Sequence, residues 1–219
     1  ALEGQHERAD HNVTNWIMFA AKVQDRSEGI FARLTMERIP AGDCRGGMLV
    51  PDPLSSGYLH MQESFSTGLQ HAWLATHKYD SSTRTYDWRW RIEIEEATRD
   101  TPFSEMLTAP MEGRSAEGAL TCAMIAAGKG DELDRNTSMS ACLQVPLQST
   151  LLLGAVEGLD VKTLADRLRV KKIRNVIVAE LQTDIETDTG SSEGLLKTKD
   201  ISSALNHFCI WPRISRAVR

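Results

Sequence analysis

A serine enclosed by small residues stands in the most chemically suggestive stretch of the chain, "PMEGRSAEG" at 110–118. Ser115 precedes "AEGALTCAMIAA" (116–127), a run of small and apolar residues that reads as a buried helix. A hydroxyl at the mouth of such a helix has two uses. It can cap the helix by accepting a backbone N–H, or it can act as a nucleophile where free N–H groups stabilise negative charge. A nucleophilic serine needs a base. The stretch is not a G-x-S-x-G elbow, because position 117 is Glu where that motif needs Gly. His60, His71, His77 and His207 have no distinctive setting and no HExxH pattern, so they read as solvated or hydrogen-bonded imidazoles, and no metal site is assigned.

A neutral lysine can take the proton instead, since burial disfavours the ammonium form. Lys171 and Lys172 lie in "RVKKIR", at the basic end of a helix, where the dipole welcomes cations. Lys162, in "VEGLDVKTLADRL", sits in the first turn of that helix, directly after the apolar Val161. There the dipole works against a positive charge and lowers the lysine's pKa. An ordinary surface lysine is the competing reading. Lys162 follows Ser115 by 162 − 115 = 47 residues.

The elements that must hold these two residues can be read from the pattern. Residues 1–12 are polar and patternless, as in a linker. "NWIMFAAKV" and "IFARLTMERI" flank "QDRSEG" and predict a hairpin from Asn15 to Pro40, followed by a Gly- and Pro-rich loop. A helix is expected over 61–77, with Phe65, Leu69, Ala72 and Trp73 on one face. "WRWRIEIE" alternates, with Trp88, Trp90, Ile92 and Ile94 on one side and Arg89, Arg91, Glu93 and Glu95 on the other, which predicts a strand with one wet face. After a loop at 97–114 comes the helix behind Ser115, ending near Gly128 and Gly130. Two strand-like runs around 137–156 turn at Pro146, a helix covers 160–171, "IRNVIVA" is a buried strand, and a polar excursion leads to a last helix near 198–208. The sum is one α/β or α+β domain with mixed strands and no second domain boundary, with 211–219 as a tail.

The totals narrow the partners. The 219 residues are 41% apolar and 25% charged, enough for one sizeable core. A formal charge of −5 speaks against partners held by electrostatics, so neither nucleic acid nor an anionic membrane is expected. "WRWR" combines aromatic and basic residues, yet alternation sends them to opposite faces, the wrong arrangement for a stacking platform. No apolar run is long enough to span a membrane, and no signal-peptide pattern opens the chain. Cys44, Cys122, Cys142 and Cys209 are scattered and read as free thiols in a reducing compartment, the cytoplasm. The first residue is Ala1, so a processed or excised chain is expected.

Taken in order, these pieces resemble the proteolytic domain of the Lon family of Ser–Lys peptidases. That family has a P-x-D-G-P-S-A segment with the nucleophile, then a helix of small residues. "PMEGRSA" (110–116) is similar, with Glu112 for Asp and Arg114 for Pro. The family's G-G-L-x-x-K-L segment carries the lysine ahead of a helix and a buried strand. "EGLDVKTL" (157–164) is similar, with Glu157 for the first Gly, and "KKIRNVIVAE" stands where the strand does. The resemblance covers roughly 13–210. It implies Ser115 as nucleophile and Lys162 as base. Ser140, in "SMSAC", takes the place of a threonine that hydrogen-bonds the lysine. The backbone around Glu112, Gly113 and Ala116 would form the oxyanion site. It also implies a serine endopeptidase acting on proteins or peptides without a cofactor, and a six-membered homo-oligomeric ring.

Two departures stand out. The family's Ser-Ala-Gly is Ser-Ala-Glu-Gly here, which puts Glu117 in the first helical turn, and Arg114 precedes the serine. Either could alter substrate access or leave the site dormant. No GxxxxGK[ST] loop occurs, so the family's ATPase would have to lie outside this chain or be dispensed with. Two further readings remain: a dormant Lon-fold scaffold used for oligomerisation, and a polyprotein-processing Ser–Lys protease of the birnavirus type.

Overall fold

The computed structural model describes residues 11–23, 26–40, 47–53, 60–94, 111, 113–146, 148–156, 173–182 and 194–210. Among them lie nine strands and three α-helices. The strands are β1 (His11–Val23), β2 (Arg26–Pro40), β3 (Leu49–Pro51), β4 (Tyr86–Ile94), β5 (Thr137–Ser140), β6 (Cys142–Leu143), β7 (Leu153–Gly154), β8 (Asn175–Ala179) and β9 (Leu195–Thr198). The helices are α1 (Glu63–Tyr79), α2 (Glu117–Lys129) and α3 (Ile201–Phe208). Seven strands form one mixed sheet in the order β3-β4-β2-β1-β5-β8-β9, and β6 with β7 makes a small separate ladder.

One half of this sheet is antiparallel. β1 pairs with β2 as the expected hairpin, and β2 pairs with β4. Alternation places Val13, Ile17, Ala32, Leu34, Met36, Trp88, Trp90 and Ile92 in the core. The opposite face carries cross-strand polar pairs. Arg33 stands opposite Glu93 and Glu37 opposite Arg89, and both pairs are bonded through their side chains.

The other half is parallel: β1–β5, β5–β8 and β8–β9 all run in one direction. "NVIVA" fills β8, and Val176, Ile177, Val178 and Ala179 are all fully buried, as a strand covered on both faces requires.

α1 buries Phe65, Leu69, Ala72, Ala75 and Thr76, a stripe at helical spacing. Every residue of α2 from Glu117 to Ala127 is buried. Its small side chains let it pack against β1, β2 and β5 on one side and α1 on another. Gly130, at φ 76°, ends it, its N–H returning to the carbonyls of Ala126 and Ala127.

Four boundaries differ from the sequence expectation. β1 opens at His11, inside the stretch read as a linker, because His11 and Asn12 already pair with Arg38 and Glu37. The Gly- and Pro-rich segment holds β3, pinned parallel to β4 at Leu49–Pro51. β9 lies where the polar excursion was expected to run straight into a helix. It follows Gly194, whose φ of 97° turns the chain where an added Cβ would strike the Arg174 carbonyl. α3 starts at Ile201 because Asp200 caps it, accepting from Ser203 N at 2.8 Å. The helix expected over 160–171, most of the loop at 97–114 and the tail at 211–219 lie outside the described residues.

Candidate active site

Met111 forms an isolated parallel bridge with Met61, and its N–H and C=O bond to His60 O and Gln62 N. That ties the approach to Ser115 onto the start of α1. Gly113 follows at φ 84°, a conformation only glycine takes without strain. Its N–H donates to Ser64 Oγ at 2.9 Å. Ser115 then lies half-buried in the turn before α2.

The helix cap is Ala116, fully buried, with no side-chain cap hydrogen bond. Ser115 is therefore not the N-cap residue of α2.

The turn docks on the end of β5. Ala141 N donates to Ser115 O at 2.9 Å, and Gly118 N donates to Ala141 O at 2.9 Å. Gly118 makes this contact close enough: a Cβ there would overlap Met139 Cε and come within 3.2 Å of Ala141 O. Ser140, the last residue of β5, is fully buried, and its Oγ has no hydrogen-bond partner among the described residues. It pairs with Val178 in register, and Ser138 pairs with Val176. These four residues share the face that alternation sets opposite Met139 and Ile177. Through the Ala141–Ser115 backbone bond the serine turn reaches the carboxyl end of β5, where Ser140 ends the strand, the end at which open α/β sheets usually bind ligands. Lys162 and Glu112 lie outside the described residues.

Glu117 is the residue whose part the sequence concealed. It has no exposed surface, yet it keeps four donors. Arg114 Nε reaches its Oε1 and Arg114 Nη2 its Oε2 at 2.9 Å, Leu143 N reaches Oε2 at 2.7 Å, and His71 Nδ1 lies 3.0 Å from Oε1. Those contacts hold Arg114 charged above its usual pKa, the hydrogen bonds to Glu117 outweighing its partial desolvation. Arg114 and Glu117, the two residues that differ from the motif beside the serine, are therefore partners. Their i, i+3 spacing was the available signal. His71, read as having no distinctive setting, completes the cluster from α1. Its separation of 46 residues from Glu117 hid the pairing.

Cys142 lies adjacent in β6. Burial first, and the Glu117 charge second, push its thiol pKa up, which disfavours the thiolate. Among the described residues no group of three or more His, Cys, Asp or Glu is placed to hold a metal ion, and no helix is long and apolar enough to cross a membrane.

A scan against protein-family models finds no match, and a search of the curated proteins finds none.

Proposed function

We propose that the chain is a serine endopeptidase of the Lon-like type, with Ser115 as nucleophile and Lys162 as base. One observation carries the reading: the Ser115 turn is hydrogen-bonded to Ala141, directly after Ser140, whose buried hydroxyl has no partner among the described residues. A buried hydroxyl needs a partner, and a lysine amine would supply one.

The chain order supports Lys162 as that amine. In chain order its segment joins β7 to β8, the strand whose Val178 pairs with Ser140.

In the reaction, Ser115 Oγ attacks the peptide carbonyl carbon and passes its proton to neutral Lys162. The tetrahedral intermediate collapses, the C–N bond breaks, and Lys162 protonates the departing amine. Water, deprotonated by Lys162, then hydrolyses the ester and frees Ser115. Backbone N–H groups at the start of α2 would face the oxyanion.

Ser115→Ala and Lys162→Ala should each abolish cleavage of an unstructured protein such as casein while leaving the circular dichroism spectrum and thermal melt of the parent. Undiminished hydrolysis by Ser115→Ala would end the proposal. Cleavage by neither parent nor variant would favour the dormant-scaffold reading.

A further inference from the structure

Accepting Ser115 as nucleophile, we infer that Arg114 and Glu117, supported by His71, are positioning residues that clamp the serine turn to the strand leaving Ser140. The two residues flank Ser115 and Ala116 in the chain, and both reach the backbone of Leu143. Arg114 Nη2 donates to Leu143 O at 2.7 Å, and Leu143 N donates to Glu117 Oε2 at 2.7 Å. Together with the Ala141–Ser115 and Gly118–Ala141 bonds, four hydrogen bonds join 114–118 to 141–143. Ser115 lies inside one side of this ladder and Ser140 heads the other, so their relative position is set by the ladder.

The geometry of β6 shows what the clamp replaces. Gln144 N bonds to Leu152 O, so the alternate backbone groups face β7. Leu143 presents its N–H and C=O to the opposite side, the edge on which another strand would pair. A carboxylate and a guanidinium take those places. This edge is thereby closed to an extended peptide at Leu143, and the loop cannot shift without breaking charge-assisted bonds.

The clamp is braced from α1. Gly68 leaves room for the Glu117 stem, since a Cβ there would lie 3.2 Å from Glu117 Cγ. One turn later, His71 reaches Oε1. A chain with only glycine after Ser-Ala has no side chain there to make this connection, so the extra residue in Ser-Ala-Glu-Gly supplies the device.

The test uses the full chain and the near-isosteric variants Glu117→Gln and Arg114→Lys. Two readouts are taken: kcat and KM on an unstructured fluorogenic peptide, and amide hydrogen exchange by NMR. Glu117→Gln should lower kcat about 10- to 100-fold with KM within about twofold, as expected when a reacting group is misplaced by about 1 Å. It should speed exchange at Leu143 about tenfold or more, with Met139 and Ile177 unchanged. Arg114→Lys keeps the charge but not the fork, and should fall between parent and Glu117→Gln.

Parental kcat in both variants, or Leu143 exchange unaltered by Glu117→Gln, overturns the inference. So does acceleration spread evenly over all core amides, which marks a purely structural role. Should Glu117→Gln fail to fold, Arg114→Lys carries the same two readouts. A parent chain that cleaves nothing defeats the peptidase reading, and the exchange rates then still decide whether the clamp exists.

Discussion

The molecule holds Arg–Glu pairs in two places, and they have different physical weight. On the antiparallel half of the sheet, Arg33–Glu93 and Arg89–Glu37 lie directly across strands with side chains partly in water. At the start of α2, Arg114–Glu117 is built on a carboxylate with no exposure at all. Water solvates either partner of the first kind when the other is lost. It cannot reach Glu117, whose partners among the described residues are Arg114, Leu143 N and His71. Identical side chains thus give an optional decoration in one region and an obligatory joint in the other.

Removing Glu117 is the severest way to break this comparison. Glu117→Ala leaves Arg114 and the Leu143 amide without their acceptor and opens a cavity. It should cost about 3 kcal/mol, measured by urea denaturation. A loss below about 1 kcal/mol would mean that the network relaxes as readily as a surface pair.

Next comes the close approach that holds the same joint together. Gly118→Val must displace Met139 and crowd the Ala141 carbonyl, and should cost about 1–3 kcal/mol. Its effect should be largest on amide exchange at Ala141, and uniform protection would refute the local reading.

Asn15 sharpens the contrast from the other side. It is buried in the core face of β1, and neither its Nδ2 nor its Oδ1 has a hydrogen-bond partner among the described residues. Where Glu117 has four donors, Asn15 has none of that kind. Asn15→Leu, of similar size, should raise stability by about 1 kcal/mol, seen as a higher Tm. A lower Tm would reveal a partner for the amide.

The smallest effect belongs to the wet face. Glu93→Gln should change stability by no more than about 0.5 kcal/mol, and 1 M salt should erase the difference. The penalty for Glu117→Ala should survive the same salt.

Much of the frame was written in local pattern. The hairpin of β1 and β2, the alternation of "WRWRIEI", the small-residue helix and the "NVIVA" strand are each announced by periodicity within a single element. β9 was not, because "LLKT" is too short to show a period and follows a polar stretch. Its strand character comes from pairing with β8. In the candidate site, Ser115 is singled out by its neighbours: glycine before it, small residues after it. The partners of Glu117 were hidden for a reason of distance. Its partners Leu143 and His71 lie 26 and 46 residues away, and no local rule brings them together.

The sequence by itself determined most of the segments that become strands and helices, though not β3 or β9, and that a lone serine stands before a helix of small residues. Side-chain size, alternation and glycine placement act over one or two turns of chain, so a linear reading captures them. The tertiary structure alone decided that the two apparent departures beside that serine form one buried ion pair. It also decided that Ser140 ends its strand against the serine turn. Both outcomes depend on which strands become neighbours, and that is set by burial of the whole core rather than by any residue's immediate context.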